Sequence, residues 1–547
     1  MAFINQLSSS TQRVLAPNDE LYVGAGVKLV VTLDAVTGGE GAVVRVDGTV
    51  VSLSDDAIDL AAPNGSNVST VVSVGANGIV SGSGGAYADF GLRLSSGRQL
   101  VSNAGDISGG TGVYATNGTG MTLQNSGAIR GLDRSAAGVD VRTNGFLDVG
   151  NSGVIEGPSF GVYSQGSTFL ANNTGVIRTQ SLGSATGMDA SGGAGRVTSV
   201  YNGGEIHGAV GLELSIFETG ALVNAGRIVG AAQEGACLDR IDAASVDNSG
   251  LIVGAIGLAL DEVGVATVRN GGEIAGLSGA GIDAEPDLIA SRLDLRNTGE
   301  ISGLGAAVRA GYLDDRVWSS GAILGDVALG DGLNRVRSTG EIDGDVIVGR
   351  GSDRVANAGE VSGDVDTGAT ADSVINRGVI GGDVSLGQGN DTYKGRKGGE
   401  VDGRVQGGDD NDTLLGSSED DVFEGGGGFD TLRGRGGDDL LRGGAGEDLI
   451  AGGAGDDEMA GGINADVFRI GRHSGDDRIA DWTDGEDVLN LRALNIEITT
   501  SVGDVKAASQ NRAGGVVIID LDALGGDGSL EIAGWNVNLM SSDDFIF

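Results

Sequence analysis

A nine-residue unit repeats in frame from Gly407 to Arg469, and no other feature of this 547-residue chain limits its fold so tightly. The seven copies read GGDDNDTLL, GSSEDDVFE, GGGGFDTLR, GRGGDDLLR, GGAGEDLIA, GGAGDDEMA and GGINADVFR. The sixth position is always aspartate: Asp412, Asp421, Asp430, Asp439, Asp448, Asp457 and Asp466. The eighth is always apolar: Leu414, Phe423, Leu432, Leu441, Ile450, Met459 and Phe468. Glycine-rich nonapeptides in this phase build parallel β-rolls, one short strand and one turn per unit. A solvating acidic linker has no need of an apolar side chain at one fixed phase in seven successive copies.

The spacing carries a chemistry. Glycine permits tight turns and brings backbone carbonyls close to a cation. Aspartate supplies hard carboxylate oxygen, which suits Ca2+ better than a transition metal. If two nonapeptides make one coil, equivalent turns lie eighteen residues apart, pairing Asp412 with Asp430, Asp421 with Asp439, Asp430 with Asp448, Asp439 with Asp457 and Asp448 with Asp466. Roughly five stacked Ca2+ sites follow from that pairing. The block holds sixteen acidic and four basic residues, a net charge of −12. Without metal the carboxylates repel and the glycines leave a large backbone entropy to overcome. The segment is therefore expected to fold on Ca2+ and to be disordered without it.

On these residues the block resembles the RTX, or haemolysin-type, calcium-binding repeats of secreted bacterial proteins. The stretch Asn464 to Leu494 (NADVFRIGRHSGDDRIADWTDGEDVLNLRAL) is similar to the segment that follows the repeats in RTX proteases and related exoproteins. The closing Asp543-Asp544-Phe545-Ile546-Phe547 resembles the uncleaved C-terminal signal of type I secretion substrates. The resemblance covers Gly387 to Phe547. It implies several bound Ca2+ ions, the type I secretion apparatus as a partner, and a secreted or cell-surface location. Two departures matter: GSSEDDVFE lacks the leading glycine pair and GGINADVFR lacks the fourth glycine. Weaker sites are expected there.

Whole-chain features agree with export. Residues 1–13 show no basic region followed by an apolar core, so no cleavable signal peptide is expected. No apolar run reaches the length of about 18 residues that spans a membrane. Cys237 is the only cysteine, which excludes an internal disulfide. A net charge of −41 argues against nucleic acid or anionic lipid as partners. With 104 glycines and 4% aromatics, the composition suits a solenoid better than a compact globule.

A second repeat lies upstream. The pentad Asn-x-Gly-x-Ile recurs from Asn103 to Val401, spaced 22 to 29 residues over most of its length and 19 between Gly321 and Gly378. This period implies a β-solenoid with one coil per repeat, the Ile/Val column stacked inside. The asparagines are expected in the left-handed region, bonding their own turn, with their amides laddered from coil to coil. The later repeats contain LGDGLNRV, VGRGSDRV, TGATADSV and LGQGNDTY, which approach the nonapeptide turn and make Asp391 a candidate extra ligand. The expected fold is all-β, a long parallel β-solenoid (β-helix) running into a C-terminal calcium-binding RTX parallel β-roll. The expected organisation is an N-terminal β cap over 1–70, the solenoid over 71–385, the β-roll over 386–469, and a capping region with the secretion signal over 470–547.

Two functions fit. The first is a secreted calcium-binding structural or interaction protein of the bacterial cell surface or matrix: a surface-layer, fibre or adhesin subunit. Self-assembly into a homopolymer and a cell-surface polysaccharide are its candidate partners. The alternative is a β-helix polysaccharide-modifying enzyme (lyase, hydrolase or uronan epimerase) with an RTX secretion module. The sequence offers that reading little chemistry. His207 and His473 are the only histidines, both expected on the surface, and neither an HExxH nor a GxSxG motif occurs. Tyr163, Tyr201, Tyr312 and Trp318 are scattered, and the neighbours Asp314 and Asp315 should face opposite sides of a strand. No catalytic residue is assigned.

Overall fold

The computed structural model describes residues 2–4, 11–39, 41–61, 69–83, 89–95, 97–166, 168–181, 183–284, 292–494 and 501–547. It is nearly all β, with 59% strand and 2% helix. Two compact units are present, Met1–Arg309 and Ala310–Phe547. Both are built from coils whose strands stack parallel on their equivalents one coil away, forming a β-solenoid.

In the first unit the strands Arg98–Asn103, Gly120–Asn125, Phe146–Asn151 and Thr168–Asn173 lie in register, so that Asn103, Asn125, Asn151 and Asn173 fall in one column. Parallel in-register stacking gives each inner coil a partner for its backbone donors and acceptors on both sides. Ile107, Ile129, Ile155, Ile177, Ile206, Ile228, Ile252 and Ile274 form the inner column expected of the pentad, and all are fully buried. Each such side chain stabilises the stack by about 1.5–3 kcal/mol.

The asparagines are laddered, but not from the left-handed region. They end strands in extended backbone, their side chains turned into the coil. Asn103 Nδ2 donates to Asn125 Oδ1 at 2.8 Å, Asn125 to Asn151 at 2.7 Å, and Asn202 to Asn224 at 2.8 Å. The same amide also reaches a backbone carbonyl in the next coil, such as Arg227 O from Asn202. The glycine that follows is required by close approach: a Cβ at Gly127, Gly153 or Gly175 would strike the carbonyl oxygen of the preceding glycine in the column.

The N-terminal segment, expected as a cap without repeats, carries ladders of the same kind. Arg13–Leu15, Val36–Gly38, Ile58–Ala61 and Phe90–Ser95 stack parallel, as do Glu20–Val23, Val43–Val46 and Ser69–Val74. These coils lack the pentad and turn through segments of unequal length, which hides their period in the sequence.

In the second unit one ladder runs through Arg354–Asn357, Ser373–Asn376, Thr392–Gly395, Thr413–Leu415, Thr431–Gly436, Leu449–Ala454, Val467–Arg469 and Val488–Asn490. The 19-residue coils thus pass into coils of two nonapeptides with no linker. Leu414, Phe423, Leu432, Leu441, Ile450, Met459 and Phe468 are all fully buried, in two inner columns. Trp482, Trp535 and Phe545 close the end beyond Phe468. His207 is half-buried between Arg178 and Val229 of adjacent strands, while exposed His473 sits 2.6 Å from Asp527 Oδ2. Asp314 is exposed and Asp315 buried.

Candidate metal centre

Each repeat aspartate stands where a turn re-enters a strand, with its carboxylate directed into the turn. The structure brings the eighteen-residue pairs together. The backbone N–H of Asp412 donates to Asp430 Oδ1 (2.8 Å), that of Asp430 to Asp448 (2.8 Å), and that of Asp448 to Asp466 (2.9 Å). A second column joins Asp421 to Asp439 (2.8 Å) and Asp439 to Asp457 (2.9 Å). Upstream, the N–H of Asp391 donates to Asp412 Oδ1 at 2.8 Å.

Those bonds use one oxygen of each carboxylate. The Oδ2 atoms of Asp391, Asp412, Asp430, Asp439, Asp448, Asp457 and Asp466 are buried and have no hydrogen-bond partner among the described residues. Buried polar atoms are normally satisfied, so a row of orphaned carboxylate oxygens points to cations between the turns. Burial pushes these acids up, Asp412 and Asp466 to about 7 and Asp439 to about 8, with neighbouring carboxylates adding to the shift. A bound dication would reverse that balance and hold them ionised.

The glycines fit the same geometry. A Cβ at Gly407, Gly425, Gly443 or Gly461 would collide with the Oδ2 of Asp412, Asp430, Asp448 or Asp466, so the first position has to be open. The fourth position is left-handed, as at Gly428 (φ 132°) and Gly446 (φ 138°). Two copies without a fourth glycine keep this turn through Asp410 (φ 74°) and Asn464 (φ 85°), residue types that tolerate the left-handed region.

Asp421 is different. Its Oδ2 accepts the N–H of Ser417 at 2.8 Å, in the copy that lacks the glycine pair. Arg435 replaces a second-position glycine at φ 85°, and its guanidinium donates to Gly416 O (2.8 Å) and Gly395 O (3.1 Å). Burial still raises Asp421 to about 6, against the Ser417 N–H and the Arg435 charge, which both lower it. A fixed positive charge already serves this aspartate.

Sequence reasoning missed two members. The N–H of Asp457 donates to Asp477 Oδ1 (3.2 Å) and that of Asp466 to Asp487 Oδ1 (3.0 Å), so both columns run one step further. The spacing there lengthens to 20 and 21 residues and breaks the nonapeptide frame. The legible signal was the buried aliphatic residue two places on, Ile479 and Leu489.

The first unit holds a separate groove of about 470 Å³, lined in part by Phe90, Tyr114, Asp140, Arg142, Phe160 and Tyr163. Phe90 and Tyr114 stack at 4.5 Å, and Arg142 bonds Asp140 (3.0 Å) while lying over the Tyr163 ring at 5.5 Å. Tyr114, Asp140 and Tyr163 occupy one register position of three successive strands. Coiling gathers aromatics that look scattered in the sequence.

Residues 397–432 and 433–468 match the family model for the RTX calcium-binding nonapeptide repeat. No curated protein sequence matches the chain. Among solved structures, the chain is similar to the AlgE6R3 subunit of the Azotobacter vinelandii mannuronan C5-epimerase, with 27% identity over 25% of this chain and 79% of that one, at a TM-score of 0.18. Residues 397–468 are thus RTX calcium-binding nonapeptide repeats, and the chain is a Ca2+-binding β-solenoid protein.

Proposed function

We propose that this chain is a secreted structural or interaction protein of a bacterial cell surface or extracellular matrix, folded by external Ca2+. The observation that carries the reading is the row of buried, unpartnered carboxylate oxygens, which leaves the roll incomplete without cations. Asp391, Asp412, Asp430, Asp439, Asp448, Asp457 and Asp466 are the proposed ligands, and Asp421 a weaker one because Ser417 and Arg435 compete for its place. A chain of this kind stays unfolded where free Ca2+ is scarce and folds where it reaches about millimolar concentration outside the cell.

The proposed roll spans 386–469 and the cap 470–547. Phe545 and Ile546 pair with Leu489 and Asn490, and Asp544 is buried. The putting away of these residues supports export before folding, because a type I secretion apparatus could read them only in the unfolded chain. Among the described residues no helix is long and apolar enough to cross a membrane. A homopolymer is part of this reading, because a head-to-tail contact between solenoids need not close. The test is Ca2+ addition to chelated protein followed by negative-stain microscopy. Fibres or sheets support a surface-layer or matrix subunit; dispersed particles remove the polymer.

The groove at Phe90, Tyr114, Phe160 and Tyr163 favours a second reading, a polysaccharide-modifying enzyme or a polysaccharide-binding surface. Aromatic faces beside a carboxylate raised by burial, as Asp140 is, suit a sugar chain. Depolymerisation assays on acidic and neutral glycans, with Tyr163→Ala as control, separate the two readings.

A further inference from the structure

The 19-residue repeats upstream of the family match contain the turn of the β-roll. In the roll a representative turn places Gly426 second, left-handed Gly428 fourth (φ 132°), Asp430 sixth and buried Leu432 eighth. The upstream turns give Gly349, Gly351 (φ 142°), Asp353 and Val355, then Gly368, Thr370 (φ 82°), Asp372 and Val374, then Gly387, Gly389 (φ 124°), Asp391 and Tyr393. Thr370 is notable, since a β-branched residue resists the left-handed region. The turn is kept against a local preference.

The carboxylate column continues as well. The N–H of Asp353 donates to Asp372 Oδ1 at 2.7 Å, and that of Asp372 to Asp391 Oδ1 at 2.6 Å. Asp353 and Asp372 are 2% and 4% exposed, and their Oδ2 atoms have no hydrogen-bond partner among the described residues. Thr367 has one hydroxyl hydrogen, and its geometry gives it to Leu386 O (3.0 Å) rather than to Asp372. A cation bridging successive turns satisfies these carboxylates.

We propose that the turns ending in Asp353 and Asp372 bind divalent cations, Ca2+ foremost, as an upstream continuation of the column that Asp391 carries into the roll. The proposal rests on the calcium reading of the roll and extends it beyond the nonapeptides. These sites are weaker than the roll's, because the open first position of Gly407 and Gly425 is filled here by Val348 and Thr367. The column fades further upstream, where Asn334 takes the aspartate position.

The test counts Ca2+ bound to the full chain, stripped with chelator and back-titrated, by native mass spectrometry and calorimetry. The pair Asp353→Asn with Asp372→Asn keeps the Oδ1 atoms that accept the ladder N–H groups. It is expected to lose at least one ion from the weak class and none from the tight class. The pair Asp430→Asn with Asp448→Asn is expected to lose tight ions. Loss in the second pair alone overturns this inference and leaves the roll standing. No loss in either pair overturns the calcium reading of the roll itself. Circular dichroism in Ca2+ verifies folding, and Asp372→Asn alone is read the same way should the upstream pair not fold.

Discussion

Arg435 stands at the second position of its repeat, where Gly408, Gly426, Gly444, Gly453 and Gly462 stand in other copies. Its guanidinium takes two carbonyls and faces Asp421. Arg435→Gly removes that charge and relieves a left-handed arginine, a strain of about 1–3 kcal/mol. Calcium titration of the variant is expected to show one more bound ion, or a tighter class of the same number. Unchanged binding would mean that the Ser417 N–H alone closes the Asp421 site. A second residue-scale prediction concerns Asp189, which burial, with Glu213 adding, pushes from 3.8 to about 7. The folded state then holds this proton more firmly than the unfolded chain does. Its stabilising effect is complete below about 4 and is lost as pH rises through about 7. Asp189→Asn should flatten the dependence of the melting temperature between about pH 4 and 7, the window the shift defines. Calorimetry across that range checks it.

At the scale of the element, the two repeats were legible because each forces a residue type into a column. The eighth-position apolar residues and the pentad isoleucines are all interior, as their phase requires. Three things were not legible. The asparagines reach their neighbours from extended strand ends, since a buried amide there can bond both the glycine carbonyl of its own turn and a carbonyl one coil away. The N-terminal coils carry no shared motif, only alternation, as in Leu21 and Val23 over Val44 and Val46. Asp477 and Asp487 fall out of frame because insertions lengthen the turns while the ladder keeps its register. The laddered amides make a testable cost: Asn202→Ala leaves Asn173 and Asn224 each without one side-chain partner, at about 1–3 kcal/mol per buried group. Leu432→Ala, which empties part of an inner column, should cost about 2–5 kcal/mol of the calcium-loaded stability. Denaturant unfolding with Ca2+ present measures both.

At the scale of the whole molecule, the charge of −41 and the scarcity of aromatics describe a chain that does not rely on one hydrophobic globule. Its coils are held by backbone ladders, thin aliphatic columns and, in the roll, carboxylates that require cations. That division assigns different conditions to different coils. The pentad coils have aliphatic columns and satisfied amides and should keep their structure in chelator. The nonapeptide coils have buried anions and should not. Hydrogen exchange read by mass spectrometry, on the full chain in Ca2+ and in chelator, tests this most directly. The account predicts that amides of residues 405–468 are protected in Ca2+ and exchange near the unfolded rate in chelator, while those of residues 98–284 change little. Equal protection of 405–468 in both conditions would contradict it.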